Sequence, residues 1–121
     1  MFDYVLANLL ANNEHAVGAL FLDDSGETVG MACADFTPYQ MRIVGAYLGI
    51  YLRQLDRFFD HTDLGVPELI HIEKDGLHIH ALSLPDGYYL ALIQRRPAQV
   101  ARARAALHDA GTQLRRELFD T

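Results

Sequence analysis

The spacing of apolar and polar positions divides the chain into alternating helical and extended segments. Near the N-terminus, apolar residues recur at helical intervals and predict a short helix ending near ANNEH; they are Phe2, Val5, Leu6, Leu9 and Leu10. The apolar run AVGALFL then predicts a buried strand. The turn DDSG and the segment ETVGMACA follow, so the two strands are expected to form a hairpin.

A helix start signal comes next. Thr37 is a preferred N-cap residue, Pro38 suits the first helical position, and Gln40 completes a T-x-x-Q capping box, which predicts a helix running to about Phe59. The segment HTDLGVP breaks the helical pattern. Three strands are predicted after it, ELIHIE, LHIHALSL and YYLALIQR, separated by KDG and PDG turns, and Pro97 is predicted to open a last helix.

The predicted order is helix, two strands, helix, three strands, helix. This order favours an α+β fold in which one five-stranded, mainly antiparallel sheet carries helices on its faces. No linker, repeat or low-complexity tract interrupts residues 1–121, so we expect a single domain.

Composition narrows the functional classes. Half of the residues are hydrophobic and 21% are charged, which excludes wholesale disorder, and no apolar run is long enough to span a bilayer. The start MFDYVLANLL lacks the features of a secretory signal, so a cytoplasmic location is expected. The single cysteine, Cys33, lies in an apolar context and is expected to act as a small hydrophobic residue.

The net charge of −6 is unevenly distributed. Residues 1–41 contain six acidic residues and no Lys or Arg, whereas the remainder is balanced. An acidic protein without a basic stripe gains little counterion release from nucleic acid or from an anionic membrane. A protein partner is therefore favoured, and neither nucleic acid nor membrane is expected.

The long middle helix has apolar residues on two sides. The first stripe is expected to dock on the sheet and comprises Met41, Val44, Leu48, Tyr51, Leu52, Leu55 and Phe58. Ile43, Tyr47 and Ile50 form a second side, and Gly45 with Gly49 leaves a small-residue notch where another backbone is expected to approach. A two-sided apolar helix needs two coverings, which favours a subunit interface; wider coverage within one subunit is the alternative.

The segment LIHIEKDGLHIHALSL places histidines on the predicted strands. A two-residue turn at Asp75-Gly76 predicts one register: Lys74 with Leu77, Glu73 with His78, Ile72 with Ile79 and His71 with His80. The simplest interpretation is a half-solvated polar face. A metal site formed by His71, Glu73, His78 and His80 and a pH-sensitive contact stay open, the latter if two copies of His71 approach across a symmetric edge.

Motifs of enzymes and nucleotide-binding proteins are missing from the sequence. It contains no G-x-x-x-x-G-K-[ST] or G-x-G-x-x-G loop and no G-x-S-x-G segment. We therefore expect no cofactor, no catalytic residue and no enzymatic activity.

Three segments carry a resemblance to a known family: AVGALFLDDSGETVGMA, TPYQMRIVGAYLGIYLRQL and GYYLALIQRRPAQVARARAAL. With the predicted order of elements, they resemble the roadblock/LC7 family, which has a longin/profilin-like fold, and especially its bacterial MglB-like branch of Ras-like GTPase regulators. The resemblance implies homodimers joined through the central helix and the neighbouring edge strand. The residues expected at that interface are Ile43, Gly45, Tyr47, Gly49, Ile50, Ile70 and His71.

The resemblance also implies a function. Family members bind a small Ras-like GTPase or serve as scaffolds, and bacterial members that accelerate GTP hydrolysis reshape the catalytic residues of the GTPase itself. We therefore expect a non-enzymatic homodimeric regulator or scaffold with no arginine finger. The alternative is a small-ligand, metal-sensing or pH-sensing module that uses the histidines.

Overall fold

The computed structural model describes residues 2–119 of the chain. Its elements are α1 (Asp3–Ala11), β1 (Ala16–Leu22), β2 (Thr28–Cys33), α2 (Pro38–Thr62), β3 (Leu69–Lys74), β4 (Leu77–Ser83), a short 3-10 segment (Pro85–Gly87), β5 (Tyr89–Arg95) and α3 (Val100–Leu118). The predicted order of helices and strands is confirmed.

The five strands form one antiparallel sheet in the order β2-β1-β5-β4-β3, so β2 and β3 are its edges. The predicted α+β class is confirmed. The predicted register between β3 and β4 is confirmed as well, with His71 opposite His80. Asp75 and Gly76 have φ values of 48° and 81°, and positive φ at both central residues is what a type I′ turn requires.

The two long helices begin differently. At the start of α2 the capping box is confirmed: the Gln40 backbone N–H donates to Thr37 Oγ1 at 3.1 Å, and the Thr37 N–H donates to Gln40 Oε1 at 2.9 Å. The prediction that Pro97 opens the last helix is wrong, because α3 begins at Val100. β5 ends at Arg95, and the Arg96 N–H still donates to the Gly76 carbonyl at 2.8 Å, so the chain bends at Arg96 and Pro97 before the helix begins.

The two faces of the sheet are covered unequally. On one face, α1 and α3 bury a core that includes Leu6, Phe21, Leu90 and Leu107. On the other face, α2 packs on β1 and β2. Because α2 lies to one side, four apolar residues of β3 and β4 on that face are only partly buried; they are Ile70, Ile72, Leu77 and Ile79. Among residues 2–119, no helix has the length and apolar content needed to cross a bilayer.

Candidate interaction surface

The second apolar side of α2 lies on the surface of the subunit. Ile43, Tyr47 and Ile50 are 42%, 60% and 52% exposed. Tyr51 and Phe58 were expected to dock on the sheet, but each is 54% exposed. That prediction is wrong because α2 packs mainly on β1 and β2, so these two rings project past the covered strands and enlarge the exposed side.

A groove of about 440 Å³ separates this side of α2 from β3 and β4. The helix wall is formed by Ile43, Val44, Tyr47, Leu48 and Tyr51, and the sheet wall includes Ile72, Leu77 and Ile79. Of the residues lining the groove, only Lys74 and Asp75 are charged. An apolar groove that continues onto an exposed helix face is typical of a surface that binds another protein.

Gly45 and Gly49 do not face this groove. A Cβ on Gly49 would collide with the carbonyl oxygen of Gly26 and lie 2.9 Å from its Cα, and a Cβ on Gly45 would lie 2.7 Å from Thr28 Oγ1. Both glycines are buried against the hairpin of β1 and β2. The expectation that they admit the backbone of a second subunit is therefore wrong, because the same chain already fills the notch.

The free edge of β3 presents hydrogen-bonding groups to solvent. The Ser83 N–H donates to the Glu68 carbonyl at 2.9 Å, and the two-residue turn pairs Lys74 with Leu77, so alternate residues of β3 bond to β4. The remaining backbone groups point away from the sheet; they belong to Leu69, His71 and Glu73. An edge strand of this kind is a template for pairing with another strand.

The histidine cluster, defined as His71, His78 and His80, lies on the opposite face of the sheet. His80 is fully buried and His78 is 8% exposed, because α3 packs over β4 and β5, whereas His71 is exposed. The predicted half-solvated face is therefore wrong for two of the three residues. Local spacing carries no direct signal of this burial, because the covering helix comes from a distant part of the chain.

Hydrogen bonds hold the imidazoles in place. His80 Nε2 donates to Gln94 Oε1 at 3.1 Å, and His80 Nδ1 is buried without a partner. His71 Nε2 lies 2.9 Å from His78 Nδ1, with ring centres 5.1 Å apart and planes 14° from parallel. These distances place the two nitrogens nearly on the line between the ring centres, so the rings meet edge to edge through an N–H···N bond.

The surroundings of His80 and His71 favour the neutral form of each imidazole. Burial lowers the pKa of His80 to about 4, with further lowering from His71, His78 and Arg104, although the hydrogen bond with Gln94 acts in the opposite direction. Burial, His78 and Arg104 also lower the pKa of His71, against the opposing charge of Glu73.

The four residues of the metal alternative do not form a coordination site. Within residues 2–119, no group of three or more His, Cys, Asp or Glu side chains is arranged to hold a metal ion. His71 and His78 bond to each other, and Glu73 pairs with Arg96. Glu73 also lies 3.7 Å from His78 Nε2.

A second depression of about 350 Å³ lies beside the last turns of α2 and is lined by Asp56, Asp60, Asp86 and Tyr89, among others. The Tyr89 hydroxyl donates to Asp56 Oδ1 at 2.7 Å. Burial and this carboxylate raise the pKa of Tyr89. Because Tyr89 is 3% exposed and already bonded, it ties β5 to α2.

No protein-family model matches the sequence. No curated protein matches it either. Solved structures do resemble the fold. A roadblock/LC7 domain from Streptomyces avermitilis has a TM-score of 0.84 at 17% identity, covering 96% of each chain. Myxococcus xanthus MglB has a TM-score of 0.87 at 10% identity, covering 99% of this chain and 96% of that one.

The gliding protein MglB from Thermus thermophilus has a TM-score of 0.81 at 14% identity, covering 95% of this chain and 86% of that one. The neighbouring roadblock/LC7 and MglB structures share the order of elements observed here. The sheet, the three helices over residues 2–119 and these similarities together show that the chain has the roadblock/LC7 fold.

Proposed function

We propose that the chain is a cytoplasmic, homodimeric regulator or scaffold that binds a small Ras-like GTPase and catalyses no reaction of its own. The observation that carries this proposal is the exposed apolar side of α2, which continues through the groove to the open edge of β3. The similarity to MglB structures supports the same class of protein.

A second copy of the chain is the occupant that fits this surface. The unpaired backbone N–H and C=O groups of an open edge strand can hydrogen-bond to those of another open edge strand. A two-fold axis perpendicular to the sheet then places the exposed apolar sides of the two subunits on the same face of the joined sheet. The other edge strand, β2, offers no such surface, because α2 already covers it on the same face of the sheet. Tyr47 and Tyr51 provide large aromatic contacts of the kind that dominate interfaces.

The dimer leaves an outward ridge on each α2 for the GTPase. At about 100° per residue, Tyr39 and Arg57 project in the same direction and away from the sheet. Tyr39 is 71% exposed, and Arg57 is exposed too. Aromatic and arginine side chains are enriched at protein interfaces, so this ridge suits a protein partner with acidic groups.

The dimer is tested by light scattering at micromolar concentration. We expect the native chain to run as a dimer and the Tyr47→Ser, Tyr51→Ser variant to run as a monomer with unchanged circular dichroism. Val29→Ser is the matched control, because Val29 is 43% exposed on the far edge strand. A native chain that remains a compact single subunit refutes the proposed dimer.

The GTPase is tested by calorimetry with purified small Ras-like GTPases from the organism that encodes the chain. We expect one of them to bind when loaded with a non-hydrolysable GTP analogue and to bind at least about tenfold more weakly with GDP. The Tyr39→Ser, Arg57→Ser variant should remain dimeric and lose binding, whereas Val29→Ser should retain it. Equal binding by the native chain and the α2 variant contradicts the assignment of the ridge.

Single-turnover hydrolysis of GTP by the bound GTPase separates an activator from a scaffold. A faster rate in the presence of the chain identifies an activator, and an unchanged rate identifies a scaffold. Hydrolysis of GTP by the chain alone refutes the non-enzymatic assignment.

A further inference from the structure

The register of the proposed β3 to β3 contact follows from the geometry of the edge. Successive side chains of a strand point to opposite faces, and both α2 helices lie on one face when the two-fold axis is perpendicular to the sheet. Each residue then faces a residue that points to the same side. One residue of β3 must therefore lie on the axis, opposite its own copy. An axis between two residues would shift the pairing by one position and place histidines opposite isoleucines.

Two positions of the axis use most of the strand. With β3 spanning Leu69–Lys74, an axis at His71 pairs residues 69–73, and an axis at Ile72 pairs residues 70–74. Any other position leaves a shorter overlap. The choice is between these two registers.

Backbone hydrogen bonds favour the axis at His71. In that register the outward groups of Leu69, His71 and Glu73 all find partners on the second copy. With the axis at Ile72, Leu69 faces Asp75, which lies in the turn with φ 48° and cannot continue the ladder. The first register therefore forms more backbone hydrogen bonds.

Side chains support the same choice. On the groove face, the axis at His71 places Ile70 opposite Ile72 of the partner subunit on both sides of the axis, whereas the axis at Ile72 places Ile70 opposite Lys74. The competing register does place His71 opposite Glu73. That pair is solvent-exposed, and exposed ion pairs contribute little.

We propose that two copies pair through β3 with His71 of each subunit opposite the other on the two-fold axis, so that the histidine cluster continues across the interface. The proposal rests on the homodimer proposed above. The row of rings then runs from His78 through His71 to the partner's His71 and His78. The other groups that face it are Glu73 on β3, Gln94 on β5, Arg104 on α3 and Arg96, which pairs with Glu73.

This arrangement makes the dimer sensitive to pH. Like charges directly opposite each other on paired strands are destabilising, so protonation of both His71 rings opposes association. The separated subunits therefore bind more protons than the dimer, and the dimer weakens as pH falls.

Disulfide trapping tests the register. In a Cys33→Ser background, residues facing each other at the axis have Cα atoms about 4.5–5.5 Å apart, within reach of a disulfide. Residues displaced by one step from the axis are about 8 Å from their own copies, beyond the limit of about 7 Å. We expect His71→Cys to form a covalent dimer on mild oxidation and Ile72→Cys to remain unlinked.

The opposite result, or no covalent dimer from either variant while light scattering still shows a dimer, overturns the register but leaves the homodimer standing. A monomer by light scattering in the Cys33→Ser parent refutes the homodimer itself. The two failures are thus distinguishable.

The second test measures the dimer Kd between about pH 8 and pH 5.5. We expect the Kd to rise as pH falls, by up to about tenfold for one proton excluded from the dimer, because the pKa of His71 lies below the usual value of about 6.5. His71→Gln should flatten this dependence, whereas His108→Gln, an exposed position on α3, should leave it unchanged. A Kd that stays flat in the native chain overturns the placement of two imidazoles at the axis.

Discussion

Gly49→Ala tests the close approach of α2 to the hairpin. The added methyl group would collide with the carbonyl oxygen of Gly26 and lie 2.9 Å from its Cα. Backbone atoms cannot rotate away as a side chain can, so the turn or the helix must shift. Overpacking of this kind costs about 2–3 kcal/mol, and the better helix propensity of alanine offsets about 1 kcal/mol. The net expectation is a loss of about 1–2 kcal/mol.

The assay is denaturant unfolding followed by circular dichroism, repeated at several protein concentrations to separate subunit stability from association. Ala46→Gly is the matched control, because Ala46 is exposed on the same helix and reports the propensity term alone, a loss of about 1 kcal/mol. If Gly49→Ala unfolds at equal or higher free energy and instead weakens dimerisation, the glycine faces a second subunit and the intrachain contact is refuted.

The remaining predictions concern caps, buried bonds, pH and metal. Thr37→Ala should lower the free energy of unfolding by about 1 kcal/mol by removing the acceptor of the Gln40 N–H, and an unchanged value would contradict the capping box. Tyr89→Phe should cost about 1–2 kcal/mol in the same assay through loss of the bond to Asp56, whereas Tyr4→Phe should cost little because Tyr4 is 50% exposed. Because the pKa of His80 is lowered to about 4, the unfolded chain binds more protons than the folded chain between about pH 6.5 and 4. The free energy of unfolding should therefore fall as pH drops through this window, by at most about 1.4 kcal/mol per pH unit. His80→Gln should remove this contribution to the slope, and an unchanged slope in that variant would assign it to other groups. Protein purified without a polyhistidine tag should contain no stoichiometric zinc by elemental analysis, and one zinc per chain would favour the metal-sensing alternative.

Local patterns were sufficient for most of the fold. The T-x-x-Q signal predicted both bonds of the capping box, and the Asp75-Gly76 turn with alternating isoleucines and histidines predicted the register of β3 and β4. The start of α3 was missed because hydrogen bonds at the end of β5 tie the N–H groups of Arg95 and Arg96 to the carbonyls of His15 and Gly76, so the helix cannot begin at Pro97. Those bonds join residues that are distant in the chain, so no local pattern reports them.

The candidate surface was predicted only in part. Ile43, Tyr47 and Ile50 were identified as a second apolar side from helical spacing alone. Tyr51 was assigned to the docked stripe, and the contribution of Ile72 and Leu77 to one wall of a groove was not foreseen. Spacing shows that a helix has two apolar sides, but it does not show how far across the sheet the helix lies.

By itself, the sequence determined the order of elements, the helix start at Thr37 and the pairing of β3 with β4, because each depends on residues that lie close together in the sequence. The tertiary structure alone decided that the hairpin fills the notch at Gly49, that α3 buries His80 and that α2 leaves β3 and β4 only partly covered. These outcomes depend on which distant segments share a layer, and that is settled by the packing of whole faces against one another.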